Sequence, residues 1–449
     1  MKKAILVILI TFIAFSWGFA GGGQAQDDRI PLSFYAWWGG GERDFGDALV
    51  AEFERIYPQY RVETFIGIPD YHTLMNTMIA AGSTPDVFQC LEQNVKPWGE
   101  AGTIANLDPH FRRIGVDPSE LYLETALFRT PNGLWGLGTG TGTIALYYNK
   151  DLLRQAGVEP PPADASRPWR WEQFVDAAIR TTRDSAGRTP RDTGFNIDNV
   201  IQWGTVMPLD NWIFLPSLML SVGANYLNEE ATALALNNPA AMRVMQSVRE
   251  LHTVHRAAPS YEAFSTPALS GRPVMLMNGQ ISMLIDGSWR ASMYLNEGFD
   301  VGVAPVPTFA ADGSAANHTW VAGFVMKAGG SEDAFTLLSW IMNYNNWVTT
   351  ASNRNIAISG GIPTTRNTYS DPALRRAWEG IIAPQWMTLA GIAAHPNTIA
   401  ARHVSTRNWD ELRSHISPGL ERYWIGELTL QAAIADIERN TAGLYRGLW

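Results

Sequence analysis

The chain is 449 residues long, 46% apolar and 17% charged, with a formal net charge of −9. That length exceeds what one core fills and predicts two large units. An acidic balance with no basic run excludes nucleic-acid binding through an electrostatic footprint. Its compositional outlier is 18 Trp, a surplus that fits a site lined with indole faces, as carbohydrate sites commonly are. The single thiol, Cys90, excludes a disulfide within the chain. Its apolar neighbours Val87, Phe88 and Leu91 predict a buried, inert side chain.

Residues 1–25 read as a secretory signal peptide. Lys2 and Lys3 form a positive start, residues 4–20 an apolar stretch, and Gly23-Gln24-Ala25 a small-x-small cleavage site. No Cys lies near that point, so a lipid anchor is not expected. Loss of the leader with its two lysines takes the net charge from −9 to −11. The expected location is the periplasm.

In chain order, residues 30–38 (IPLSFYAWW) have the length of a buried strand. They end in Trp37 and Trp38, followed by three glycines and Glu42. Phe45, Leu49, Phe53 and Tyr57 recur at helical spacing until Pro58 stops the helix, and residues 62–68 form a second strand. Such a β–α–β opening predicts a parallel sheet with a right-handed crossover. Ligands of such sheets bind beyond the carboxyl ends of the strands, where Trp37, Trp38 and Glu42 fall. A helix over 71–81 ends at Gly82, and Asp86 opens a third strand. Asp86 reads equally as a turn residue or a ligand contact.

Residues 134–153 (LWGLGTGTGTIALYYNKDLL) alternate Gly and Thr before an apolar strand. Gly138, Gly140 and Gly142 mimic a dinucleotide loop, but the spacing is wrong and no helix opens after them. A strand that bends as it crosses between two units fits better. Residues 171–182 predict an amphipathic helix, and Trp203 and Trp212 read as core or as cleft wall. His252 and His255, three apart on a helix, have no third metal ligand nearby, so a solvated helix end is expected there. Residues 278–308 then give a strand, a turn at Asp286-Gly287-Ser288, a presented Trp289, and a second strand ending at Pro305. Gly287 is expected to supply dihedrals that a side chain forbids. Residues 318–327 (HTWVAGFVMK) place Trp320 and Gly323 at the start of another strand.

These stretches resemble, in order, the extracellular solute-binding proteins (family 1) of ABC importers, the maltose-binding-protein-like group. The resemblance runs from residue 30 to the terminal helix. It is carried by the Gly-Ser-Trp turn at 287–289, the Tyr-Tyr-Asn-Lys at 147–150, the Pro-Asp-Val at 85–87 and the Gly-Gly-Ile-Pro-Thr at 360–364. Trp135 and Gly138 depart from the family's Tyr and Pro, and Ala322 replaces a Gly.

The resemblance implies an α/β, two-lobed periplasmic binding protein fold of type II, with discontinuous lobes joined by three hinge crossings. The expected boundaries are 28–139 with 304–342 for the N-terminal lobe, and 140–303 with 343–449 for the C-terminal lobe. It further implies a monomer that binds a sugar and delivers it to permease subunits in the inner membrane, with no catalytic residue, metal or cofactor. Candidate ligand contacts are Trp37, Trp38, Glu42, Asp86, Trp289, Trp320 and Gly323. Arg402 and Arg407 lie where relatives place a sugar-binding Arg. The alternatives are a secreted carbohydrate-active enzyme using Glu42, Asp86 or Asp286, or the same fold binding a polyamine or a glycerophosphodiester.

Overall fold

A computed structural model describes residues 27–38, 41–67, 70–207, 212–264, 272–295, 300–343, 345–347, 364–366, 370–373, 376 and 385–449. The leader, Gly39-Gly40 and residues 360–363 lie outside the described residues, as does the side chain of Glu42.

The chain opens with β1 (Ile30–Ala36), α1 (Gly41–Ile56), β2 (Tyr60–Ile66), α2 (Tyr71–Ala81), β3 (Val87–Cys90) and α3 (Glu92–Glu100). β1 pairs in parallel with both β2 and β3, as expected of a β–α–β opening. α2 ends where Gly82 turns left-handed at φ 66, a conformation that glycine adopts without Cβ strain.

Two long strands tie this sheet to a second one. β5 (Gly133–Asn149) carries four neighbours along its length. On one edge it meets β10 (Asn317–Met326) and then β9 (Val301–Ala304); on the other it meets β4 (Leu127–Thr130) and then β8 (Ile281–Gly287). β10 pairs with β3 at its far end and with β11 (Thr398–Ile399) at its start. β7 (Val200–Val206) and β6 (Arg183–Asp184) extend the sheet beyond β8. Among the described residues the order is β2-β1-β3-β10-β5-β8-β7-β6.

Burial divides the molecule into two lobes. Phe34, Leu49, Phe53, Leu137, Phe324 and Leu338 share one core, and Phe88, Val95, Trp135 and Val325 fill the opposite face of the same sheet. In the other lobe, Ile144, Leu146, Phe174, Leu218, Ile285 and Val306 lie on one face and Tyr147, Leu284, Val303 and Trp386 on the other. Both faces are apolar because helices cover both. The changeover falls within β5 between Leu137 and Ile144, and within β10 between His318 and Val321. The first takes in Thr139, where one crossing is expected. The second differs from the crossing expected at Val303: Val303 pairs with Tyr147 inside the C-terminal lobe, and Val306 and Phe309 join that lobe's core. Trp347, expected beyond the third crossing, lies in the first lobe's core against Trp38 and Phe45.

Trp37 and Trp38 part company because successive side chains of an extended chain point to opposite faces. Trp38 is 4% exposed and packs edge-on against Phe34, Phe324 and Trp347. It is a core residue and presents no face to a ligand. Trp38→Ala is expected to lower stability by about 3–5 kcal/mol, the usual range for truncating a buried Trp. Urea unfolding measures this; a loss below about 1 kcal/mol would contradict the packing described.

Candidate ligand-binding groove

Three indoles meet where β5 and β10 cross between the lobes. Trp37 follows the carboxyl end of β1, Trp320 stands on β10, and Trp289 sits in the single 3-10 turn (Ser288–Arg290) after β8. All three are partly buried. Trp37 and Trp320 lie 6.5 Å apart at 36°, and Trp320 and Trp289 lie 5.7 Å apart at 61°. Tyr71 and His72 flank Trp37 at 5.6 and 5.1 Å, and Phe214 flanks Trp289 at 6.4 Å. The row therefore runs from the first lobe to the second without a break.

Glycine makes room for this row. A Cβ on Gly287 would stand 2.3 Å from the Trp289 ring, and one on Gly142 would stand 3.1 Å from the same ring. The two glycines lie on adjacent strands, β8 and β5, so the indole is laid across bare backbone. Gly287 itself has φ −85, ordinary extended backbone, and the strand runs through it rather than turning. Its role is to give space, not the unusual dihedrals expected from the sequence.

On the second lobe, Trp212, Tyr226, Tyr261, Trp409, Arg413 and Trp424 line a pocket of about 180 Å3. Trp409 and Arg413 are one turn apart on the helix Trp409–Trp424, so they share a face. Arg413 lies over the Trp212 ring at 5.4 Å and is 3.8 Å from Asp410. The indole N–H groups of Trp409 and Trp424 are buried with no partner among the described residues. Across the groove, Gln93 on α3 donates to Asp410 at 3.5 Å, and its own buried carbonyl is unpartnered among the described residues.

Several residues singled out in the sequence are occupied elsewhere. Asp86 accepts from the backbone and hydroxyl of Ser33 at 2.9 and 2.8 Å and pairs with Lys327 at 2.7 Å, clamping β1, β3 and β10 together. Gly323 is filled around by Phe128 and Val95, so its small size serves packing. Arg402 bonds the Leu227 carbonyl and faces Glu229. Arg407 bonds the Leu448 carbonyl and lies over Trp449. The arginine in the pocket is Arg413, missed in the sequence, where its only signal is the four-residue spacing from Trp409. Asp286 is 4% exposed and held by the Tyr294 hydroxyl and the Gly287 N–H.

Glu92, the first residue of α3, accepts from the Val321 N–H at 3.0 Å, beside Trp320. Burial pushes its carboxyl up to about 7; the Val321 bond and the Lys96 ammonium pull downward and only partly offset it. An unfolded Glu loses its proton near pH 4.3, earlier than the folded one. Folding is therefore favoured at low pH, and this contribution is lost as pH rises from about 4 through 7. Glu92→Gln is expected to match the unaltered protein at about pH 4 and exceed it by on the order of 2 kcal/mol at about pH 8. Urea unfolding at the two pH values decides it; equal stability at both would refute the assignment.

Comparison with known proteins identifies the family and the fold. The model of the bacterial extracellular solute-binding protein family matches residues 39–352. The multiple sugar-binding protein of Streptococcus mutans is 21% identical over 164 residues, 34% of this chain and 34% of that protein. The chain thus matches about a third of that relative's length. The sn-glycerol-3-phosphate-binding periplasmic protein UgpB of Agrobacterium fabrum is 21% identical over 420 residues, 91% of this chain and 92% of that one. Among solved structures, the ABC substrate-binding protein Lmo0181 of Listeria monocytogenes, in complex with cycloalternan, has a TM-score of 0.75 at 22% identity. That superposition covers 93% of this chain and 99% of that one. With its two lobes crossed by β5 and β10 and its family model matched over most of its length, this chain belongs to the bacterial extracellular solute-binding proteins.

Proposed function

We propose that the protein captures a sugar or short oligosaccharide between its lobes and hands it unchanged to the inner-membrane permease subunits of an ABC importer. The observation that carries this reading is the contact row of Trp37, Trp320 and Trp289 at the lobe junction. Indole faces match the apolar C–H faces of a pyranose. Each removes apolar area from water at about 25 cal/mol per Å2. Arg413, which lines the second-lobe pocket, offers donors to ring and hydroxyl oxygens. A ligand spanning both walls favours lobe closure only by its differential affinity for the closed form.

The lobes proposed here are residues 28–138 with 321–347, and 143–318 with 385–449, hinged in β5 and β10. Asp86 is committed to Lys327 and Asp286 to Tyr294. Both engagements support binding over hydrolysis by paired carboxylates, whose separation must suit attack on a glycosidic bond. The near full-length likeness to UgpB supports a second reading, in which the ligand is a glycerol phosphate or its diester.

The test is a tryptophan-fluorescence titration against mono- to tetrasaccharides, with sn-glycerol 3-phosphate, glycerophosphocholine and a polyamine in the same panel. Mass spectrometry then identifies the recovered ligand. A saccharide recovered intact supports the first reading; response to the phosphates alone supports the second; a cleaved saccharide overturns both. Trp289→Ala is expected to weaken saccharide binding by roughly 1–3 kcal/mol, while Arg402→Ala leaves it unchanged. An unaltered affinity in Trp289→Ala would remove that indole from the site.

A further inference from the structure

Two buried histidines stand behind the second-lobe wall, and sugar binding as proposed above uses neither. His318 lies on β10, two residues before Trp320, with no exposed surface. Its Nδ1 accepts from the Ala401 N–H at 3.1 Å. The neutral ring therefore carries its proton on Nε2. Nε2 has no hydrogen-bond partner among the described residues, and the Ile399 backbone offsets only part of the burial that disfavours a charged ring. His403, in the turn Arg402–Ser405, is 1% exposed, and neither of its ring nitrogens has a partner among the described residues.

What His403 has instead is aromatic surface on every side. Its ring centre is 4.4 Å from Trp409, 5.8 Å from Trp212 at 88°, 5.6 Å from Tyr226 at 79°, and 5.6 Å from His318. Trp212, Tyr226 and Trp409 are the wall of the 180 Å3 pocket. An imidazole set edge-on against such rings directs its N–H or C–H edge at a π face, a weak bond that fixes orientation more than it adds stability. One ring thus indexes three.

We propose that His403, backed by His318, is the positioning residue for this wall, and that a proton taken up by the pair loosens the wall in acid. That the wall meets ligand rests on the function proposed above; that the pair holds the wall does not. Charged groups of both signs lie on the elements packed against His403. From the helix Trp409–Trp424 come Asp410 and Arg413; from α3, which touches the turn, Glu92 and Lys96; from β10, His318; and from its own turn, Arg402, already turned to Glu229. Asp410 is engaged with Arg413 and Gln93. Burial, His318 and Arg413 all oppose charge on His403 and hold it well below the usual imidazole range, while burial pushes His318 down to about 4. Both rings thus stay neutral at physiological pH, and the wall keeps its geometry. Unfolded histidines bind protons from about pH 6.5 downward. The native arrangement therefore loses stability between that value and about 4.

The experiment uses the full chain and near-ultraviolet circular dichroism of its indoles, followed from about pH 7.5 to 4. His403→Phe fills the same space without a titrating group. It is expected to keep the neutral-pH spectrum and to move the acid midpoint down by at least about half a pH unit. An unchanged midpoint would assign the transition to carboxylates and overturn the proposal. If the variant lacks the neutral spectrum, nitrogen-15 NMR of the unaltered protein decides. Two neutral imidazoles persisting to about pH 5 support the proposal, and titration of both near the ordinary 6.5 overturns it. A parallel maltotriose titration of the unaltered protein is expected to lose affinity over the same pH range. Absence of maltotriose binding at neutral pH would count against that sugar as ligand, while the spectroscopic outcome would still decide the role of the histidines.

Discussion

The antiparallel pairing of β5 with β10 is the constraint on which the rest of the molecule depends. Thr319 to Phe324 face Leu137 to Thr143, with a register shift between Val321 and Gly323. Above this shared stretch both strands belong to the first lobe's sheet, and below it to the second's. A two-stranded ribbon bends far more readily than a wide sheet locked by helices on both faces, because fewer ladder bonds and fewer packed side chains oppose it. Under the function proposed above, the wide sheets stay rigid while the ribbon between them takes up the closing motion. Trp320 stands within this ribbon, paired with Gly142.

Glycines at the ribbon reconcile two demands. Indoles have to lie flat near the crossing strands, and the strands have to approach one another closely. Gly142 meets both, since an added Cβ would press on the Trp320 carbonyl at 2.8 Å and on the Trp289 ring. Gly138 and Gly136 open space in the same strand for Val321 and Val325. The Gly-Thr alternation is thus a packing device, and its cost in strand propensity is offset by the side chains that fill the space.

Electrostatically the junction is underpaired. The Glu92 carboxylate accepts from the Val321 N–H, and the indole N–H of Trp320 is buried without a partner among the described residues. By contrast, the carboxylates that clamp the framework, Asp86 and Asp286, are each held by two or more partners. Saturated groups of this kind stiffen the lobes.

Much of this is legible in the sequence. Helical spacing and Pro58 locate α1, the β–α–β opening gives the parallel start of the sheet, and the Gly-Thr run falls where β5 passes between the lobes. Trp37, Trp289 and Trp320 stand far apart in the chain, yet the order of motifs places all three at one site, and their rings form one row. Local patterns carry such information because strand and helix periodicities are written in adjacent residues. Which of two successive indoles faces a core depends on the partners of β1, and those partners turn Trp38 inward, away from the ligand side that the sequence suggests for it. Arg402 and Arg407 bond the Leu227 and Leu448 carbonyls while Arg413 lines the pocket, because helix docking, not the immediate neighbours, aims side chains that lie far along the chain from the strands they face. The second crossing, in β10 rather than at Val303, depends on which strand pairs with both halves of β5. The amino-acid sequence by itself determined the elements and the kind of surface they present; only tertiary packing decided which of those surfaces meet, because long-range pairing is set by burial on both faces at once.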